Sequence, residues 1–361
     1  MIFNSLNQWQ MGFTKPVIIA GPCGVESEVQ LHQTLSNFKG MGVQLVRGGI
    51  WKPRSRPGSF QGLGVEGLRI FKKVANHYNL PITVEVASGE HVSEALKHQV
   101  NVLWIGARTT VNPFAVQEIA EALQGEDIPV MVKNPVNPDL ELWVGAIERI
   151  YQAGIQNIAA VHRGFSAYER SKYRNQPNWQ IPIELKRRFP TLPLINDPSH
   201  IAGRRNLIAE VAQTAFDLDF DGLMVEVHPQ PDQALSDAKQ QLTPSDFGLL
   251  LNSLVVKQTQ LDDVIFNTLL DELRNRIDQI DETILELISK RMELARQIGI
   301  YKKENGITIL QVERWNKILA TRIKSGALKE LSESFIIESY KLIHDESIRQ
   351  QSNVALSSKT I

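Results

Sequence analysis

Cys23, Arg47, Glu85, Arg108, Lys133, Arg163, His200 and Glu226 stand at or just past the ends of short apolar runs that recur along the first two thirds of the chain. An apolar run that reaches solvent commonly closes on Gly, Asn or Ser. Here each one delivers a charged, nucleophilic or metal-ligating group. Four of the eight are cations, in a chain whose 39 Lys and Arg and 40 Asp and Glu leave a net charge of −1. Gathered about one axis they would form a pocket for phosphates or carboxylates. Lys52-Pro53-Arg54-Ser55 adds two cations and a hydroxyl, enough for two phosphorylated ligands. Cys23, His200 and Glu226, with Asp237 in the following loop, mix soft and hard donors that could hold one divalent transition metal with a position left open. Each residue alone has a plainer reading: core cysteine, solvated loop cation, turn histidine. Glu226 fits a plain reading least, because a carboxylate inside the apolar run 223–227 needs a cation.

The elements that must carry these residues alternate. Apolar runs lie at 17–20, 44–46, 81–86, 102–105, 129–132, 157–161, 193–195 and 222–227, with helical patterns at 28–39, 66–79, 90–98, 113–124, 139–153, 182–189, 203–216 and 244–256. Eight strand–helix repeats in roughly 250 residues predict an α/β fold, a (β/α)8 barrel, whose strands present their C-terminal ends to one face. The alternative is a doubly wound open sheet. Its G-x-G-x-x-G fingerprint is missing, since the chain reads Gly21-Pro22-Cys23-Gly24 after the leading run.

A barrel of that size leaves about a hundred of the 361 residues over. Beyond residue 258 there is no proline, and the only glycines are Gly299, Gly306 and Gly326. Leu273, Ile277, Ile280, Ile284, Leu287, Ile288, Ala295 and Ile298 recur at three- and four-residue steps, which predicts a helix over 262–304, roughly 60 Å long. Asn305-Gly306 ends it, and further helices are expected at 311–324 and 332–351, the latter capped by Ser332. Two short helices cannot cover so long an apolar face, so a homodimer through this region is expected, with higher assembly left open. The domains read as a barrel over 1–258, a linker over 259–266, a helical unit over 267–352 and a flexible tail over 353–361. Arg291 and Lys302 lie eleven residues apart, about 20° on a helical wheel, and share a stripe; Arg274 points about 100° away, toward a dimer partner.

Composition excludes other classes. With 42% hydrophobic and 22% charged residues the chain is neither disordered nor fibrous. Balanced charge argues against a nucleic-acid partner. The apolar runs are too short for a membrane, and one cysteine permits no intrachain disulfide, so a cytoplasmic protein is expected.

Over residues 1–256 the motifs Gly21-Pro22-Cys23, Lys52-Pro53-Arg54-Ser55, Ser59-Phe60-Gln61-Gly62, Ile105-Gly106-Ala107-Arg108, Lys133-Asn134, His162-Arg163-Gly164, Asp197-Pro198-Ser199-His200 and Glu226-Val227-His228 resemble 3-deoxy-D-arabino-heptulosonate 7-phosphate (DAHP) synthase. The likeness is to its short microbial branch, related to 3-deoxy-D-manno-octulosonate 8-phosphate synthase. That sister enzyme is the alternative reading, disfavoured by Lys-Pro-Arg-Ser. The resemblance implies condensation of phosphoenolpyruvate with erythrose 4-phosphate. It implies one divalent metal, Mn2+ or similar, on Cys23, His200, Glu226 and Asp237. It puts Ala107, Arg108, Lys133 and Arg163 at the phosphoenolpyruvate phosphate, Arg47 and Lys52 at the carboxylate, and Arg54 and Ser55 at the sugar phosphate. Glu85 or Lys52 is then the proton-transfer group. The loop over 164–181 is read as a lid or as a surface excursion.

Over residues 267–352, Leu273-Arg274-x-x-Ile277-Asp278-x-x-Asp281 followed by Arg291, Lys302, Arg314, Ser347 and Gln351 resembles the all-helical chorismate mutase, an intertwined dimer. The resemblance implies rearrangement of chorismate to prephenate. Arg274, Arg291 and Arg314 would meet the carboxylates with Ser347, and Lys302 with Gln351 the ether oxygen. Gln311 and Trp315 depart from the acidic residues of that family and weaken the contact to the substrate hydroxyl. A catalytically weak dimerisation and ligand-sensing module is the alternative for this region. Feedback of chorismate or prephenate on the barrel is expected from either.

Overall fold

Each apolar run folds as a strand: β1 (Val17–Gly21), β2 (Val43–Gly48), β3 (Ile82–Val86), β4 (Val102–Ile105), β5 (Val130–Lys133), β6 (Ile158–His162), β7 (Leu194–Asn196) and β8 (Gly222–Glu226). In the computed structural model, which describes residues 1–52, 58–168, 171–257 and 264–356, all eight pair in parallel and in chain order, and β8 returns to β1 to close the barrel. The chain divides into two units, Met1–Thr259 and Gln260–Ile361.

The crossover helices are α1 (Glu28–Leu35), α2 (Gly64–His77), α3 (Gly89–Lys97), α4 (Ala107–Thr110), α5 (Pro113–Ala122), α6 (Leu140–Gln152), α7 (Gln180–Arg188), α8 (Pro198–Ala202), α9 (Ile208–Asp217) and α10 (Pro244–Ser253). Side-chain caps start many of them. Ser27, Ser88, Asn112, Asp139, Asp197 and Thr243 each accept a backbone N–H of the first turn, and Pro113, Pro198 and Pro244 follow three of those caps. The helices bury one face on the outside of the barrel in a single apolar cluster. Each Leu, Ile or Val so buried contributes about 1.5–3 kcal/mol.

A second cluster fills the barrel interior: Val17, Ile19, Leu45, Val102, Trp104, Met131, Ala159, Val161, Ile195 and Met224. Leu6, Trp9 and Phe13 join it from the N-terminal segment, plugging the end where the strands begin. Nothing periodic in residues 1–16 announces that plug.

Three expectations are corrected. The helix read over 203–216 is α9 alone, which begins only at Ile208, while α8 ends ahead of that span. Asp197 and Pro198 start α8 early, and Gly203, at φ +68°, ends it after one turn. The linker expected over 259–266 ends sooner, because α11 (Val264–Glu304) is already helical at 264. The tail expected from 353 is helical to Leu356 in α13 (Glu333–Leu356), since no Gly or Pro stops it.

In the second unit α11 packs on α13, and α12 (Val312–Ala327) packs on α13 as well. Gly306, at φ +64°, follows the end of α11. Gly299 lets α11 and α13 approach closely, as a Cβ there would lie 3.0 Å from the Gln351 backbone. Leu273, Ile277, Ile280, Ile284 and Leu287 remain about half exposed along α11. Among the described residues no helix is long and apolar enough to cross a membrane.

Candidate active sites

At the C-terminal end of the barrel, Asp197 gathers the charges. Its Oδ2 accepts from Lys133 Nζ at 2.6 Å, lies 2.8 Å from His200 Nδ1 and 3.9 Å from Arg47 Nη1. Burial pushes its carboxyl upward, but His200, Lys133 and Arg47 outweigh it and hold Asp197 well below the usual range. Trp104 lies beneath both neighbouring cations, its ring centroid 5.1 Å from the Arg47 guanidinium carbon and 5.7 Å from Lys133 Nζ.

Cys23, Glu226 and Asp237 place one ligand atom each within 4.8 Å of one another. Cys23 Sγ lies 3.3 Å from Asp237 Oδ2 and 2.8 Å from Lys52 Nζ. Burial, and then the charge of Glu226, push its thiol up to about 12, partly offset by Lys52. Glu226 Oε2 accepts from Gln240 Nε2 at 2.7 Å, whereas Oε1 is buried without a hydrogen-bond partner, with Arg47 Nη2 at ion-pair distance, 3.1 Å. A buried carboxylate oxygen left open beside a thiol and a second carboxylate suits a divalent transition metal. His200 stands at the edge, Nε2 3.7 Å from Glu226 Oε1. Burial lowers its pKa against the pull of Asp197 and Glu226. With Nδ1 turned to Asp197, the ring presents Nε2 as a ligand does.

Beside this cluster opens a cavity of about 190 Å3, lined by Glu85, Ala107, Arg108, Lys133, Arg163, Arg174, His200 and Asp237, among others. Glu85 fits there because position 106 is glycine, where a Cβ would lie 1.9 Å from Glu85 Oε1. Arg163 has no carboxylate within ion-pair distance among the described residues. Burial, together with Arg174 and Arg108, lowers it to about 10 despite Asp197. The cavity is thus a site of unbalanced positive charge, suited to an anion. A larger cavity, about 650 Å3, opens at the other end of the barrel beside Lys15 and Asp221, where Lys15 and Lys186 are already paired with Asp219 and Asp221.

The strand-end residues therefore converge, with one difference. Arg47, only 2% exposed, faces Glu226 and Asp197 inside the barrel and does not line the cavity. Arg54 and Ser55 lie outside the described residues. Sequence reasoning left Asp197, Arg174 and Gln240 without roles. Arg174 donates to Asp237 Oδ1 at 2.9 Å and to Gln240 Oε1 at 2.6 Å, tying the 164–181 loop to the cluster of Cys23, Glu226 and Asp237. Asn175 Nδ2, bonded to His200 O, and a bridge between Phe165 and Gln176 also fix that loop. Asp197 had a local signal in Asp197-Pro198; Arg174 had none.

In the helical unit, Arg291 Nη1 donates to Ser347 Oγ and, at 3.4 Å, to Ile343 O, and Lys302 Nζ donates to Ile309 O at 2.5 Å. Neither cation has a carboxylate partner among the described residues, and burial lowers both. Ser347 and Gln351 are buried on α13, and Gln351 Oε1 has no hydrogen-bond partner. Arg274 is exposed and pairs with Asp271 at 3.2 Å; Arg314 is exposed on α12.

Residues 5–262 match the model of the DAHP synthetase I family, and residues 273–352 match chorismate mutase type II. A phospho-2-dehydro-3-deoxyheptonate aldolase of Thermotoga maritima is 35% identical over 248 residues, 69% of this chain and 70% of that protein. A 2-dehydro-3-deoxyphosphooctonate aldolase of Geobacter metallireducens is 28% identical over 265 residues, 68% of this chain and 93% of its own. The crystal structure of a DAHP synthase from Thermotoga maritima aligns with a TM-score of 0.60 at 32% identity, covering 65% of this chain and 67% of that one.

Proposed function

The chain belongs to the DAHP synthetase I family and carries a chorismate mutase type II unit behind its barrel, and on that premise we propose what each site does. The barrel condenses phosphoenolpyruvate with erythrose 4-phosphate to DAHP, and the helical unit rearranges chorismate to prephenate. The observation that carries the barrel reading is the unbalanced Arg163 in a cavity bounded by Arg108, Lys133 and Arg174, beside Cys23, Glu226 and Asp237. The higher identity to the heptonate enzyme than to the octonate enzyme favours the four-carbon acceptor.

Phosphoenolpyruvate is close to a trianion at neutral pH. Arg108, Lys133 and Arg163 hold its phosphate, with Ala107 at the cavity wall, and Arg54 and Ser55 hold the phosphate of the sugar. Arg47, turned from the cavity, orients Glu226 and Asp197. Lys52 sits on Cys23 and favours its thiolate. Cys23, His200, Glu226 and Asp237 would hold a divalent metal such as Mn2+, which would supply Lewis-acid polarisation of the acceptor aldehyde. C3 of phosphoenolpyruvate attacks the aldehyde carbon, water quenches the positive character at C2, and phosphate leaves with its C–O bond. Glu85 lines the cavity and is the group to take the water's proton. Replacing Cys23 by Ser is expected to weaken Mn2+ binding about 100-fold by titration calorimetry, with mutase turnover unchanged. Undiminished affinity would remove Cys23 from the ligand set.

Pericyclic rearrangement needs no nucleophile. Holding the chair-like conformer and stabilising charge on the ether oxygen suffices. Arg291, Arg314 and Ser347 take the carboxylates, and Lys302 with Gln351 the ether oxygen. Arg274 completes the site from a second copy of the chain. The half-exposed stripe of α11 supports a homodimer, since each Leu or Ile covered contributes about 1.5–3 kcal/mol. By sedimentation the protein is expected to be at least dimeric, and Ile277→Asp to dissociate that dimer and lose mutase activity. A monomeric wild type would contradict the assembly.

Joining an entry reaction to a later one in one chain supports feedback. Prephenate bound to the helical unit slows the barrel; synthase rates unchanged at saturating prephenate would refute this. The buried, unpaired thiol of Cys23 suits a reducing, cytoplasmic setting.

A further inference from the structure

The face of α13 turned toward α11 carries more than the residues assigned above. His344, Ser347 and Gln351 follow one another at three and four residues and share that face. Two of the three hold a buried polar atom with no hydrogen-bond partner, His344 Nε2 and Gln351 Oε1. Orphaned polar atoms are costly unless a ligand satisfies them. His344 sits in the field of Arg291 and Lys302, cations that have only neutral partners among the described residues.

The imidazole of His344 is fixed. Its ring stacks on Trp315 of α12, centroids 4.1 Å apart and planes within 10°. Trp315 is the residue that departs from the acid expected at that point of α12, a departure that leaves the substrate hydroxyl without its contact. The stack turns that departure into a clamp: the indole gives up a polar contact and holds another polar ring flat. Burial lowers the His344 pKa, and Arg291 and Lys302 lower it further against Asp345, so the ring beside the two cations is neutral. A neutral imidazole offers a donor or an acceptor to a hydroxyl and adds no third positive charge.

We propose that His344 is a substrate-contacting residue of the helical unit, its Nε2 bonding the ring hydroxyl of a cyclic dicarboxylate that has a carboxylate on Arg291 and its ether oxygen on Lys302, with Trp315 as the positioning residue that holds the imidazole. This rests on the mutase reading. It assigns a donor that reading lacks, and makes the pair Trp315–His344 a replacement for a carboxylate.

The test uses the intact chain with two probes, chorismate and an analogue lacking the ring hydroxyl. His344→Ala is expected to raise KM for chorismate about tenfold, the loss of one neutral hydrogen bond, with a smaller change in kcat and with synthase turnover in the same preparation unaltered. His344→Asn, which keeps an amide donor, restores most of the loss. Trp315→Ala raises KM in the same direction, whereas Trp315→Phe, which keeps a stacking face, does so less. With the deoxy analogue, wild type and His344→Ala have the same KM. An unchanged KM for chorismate in His344→Ala, or an equal penalty with both probes, overturns the proposal. If the wild type turns over no chorismate, the mutase reading fails, and calorimetric binding of prephenate to wild type and His344→Ala decides the proposal: equal affinity overturns it and weaker binding by the variant supports it.

Discussion

Arg163→Ala is expected to lower kcat/KM for phosphoenolpyruvate by about 10²–10³, the usual cost of removing one preorganised charge from a transition state. The variant should melt no lower than the wild type. Arg163 is a cation with no carboxylate partner among the described residues, and burial with Arg174 and Arg108 holds its pKa at about 10, below its ordinary value. A cation whose folded pKa is depressed destabilises the fold. That penalty is fully present below about pH 10 and fades as pH rises toward the unfolded value. Deleting the side chain at neutral pH therefore relieves repulsion while removing the anion's partner. Activity falls and stability does not, which separates a binding residue from a structural one. Lys133→Ala is less clean, because it also takes a partner from buried Asp197. A normal rate in Arg163→Ala, or a large drop in melting temperature, would contradict the assignment.

Lys302→Ala is expected to lower chorismate turnover by about 10²–10³ while DAHP formation continues. Among the described residues the Lys302 ammonium bonds only the Ile309 carbonyl and has no counter-ion, and burial lowers its pKa, so it holds charge at some cost. The ether oxygen gains negative character as its bond to the ring breaks, and a fixed ammonium stabilises that change more than the ground state. The effect should appear in kcat. Lys302→Arg keeps the charge but not its position, and is expected to recover only part of the rate. Loss of both activities in Lys302→Ala would instead indicate a folding defect.

The barrel was legible because its signal is local. Eight apolar runs separated by helical patterns leave few parallel topologies, and strand ends then fall on one face. Convergence of Arg108, Lys133, Arg163 and His200 followed from that geometry. The direction of Arg47 did not, because it depends on register: Arg47 pairs with Thr83 of β3 and points inward at Glu226 and Asp197. Arg174 was illegible for a related reason. Its place comes from contacts with residues far along the chain, Asp237, Gln240 and the backbone at Ile201, which no window of sequence contains. The plug of Leu6, Trp9 and Phe13 likewise has no period to read. In the helical unit the three- and four-residue steps predicted α11 and the stripe of Arg291 and Lys302. Trp315 looked like a loss until its stacking partner, 29 positions on, came into view.

On this reading one chain holds two separate catalytic sites, an anion pocket in the barrel and a cationic helical site. This is tested most directly by assaying wild type, Arg163→Ala and Lys302→Ala, each as the full chain, for phosphate release from phosphoenolpyruvate with erythrose 4-phosphate and for loss of chorismate absorbance. The expected result is both turnovers in the wild type, little reaction with arabinose 5-phosphate, loss of only the synthase in Arg163→Ala and loss of only the mutase in Lys302→Ala. Preference for arabinose 5-phosphate, a wild type inert toward chorismate, or a variant that abolishes both reactions would contradict it.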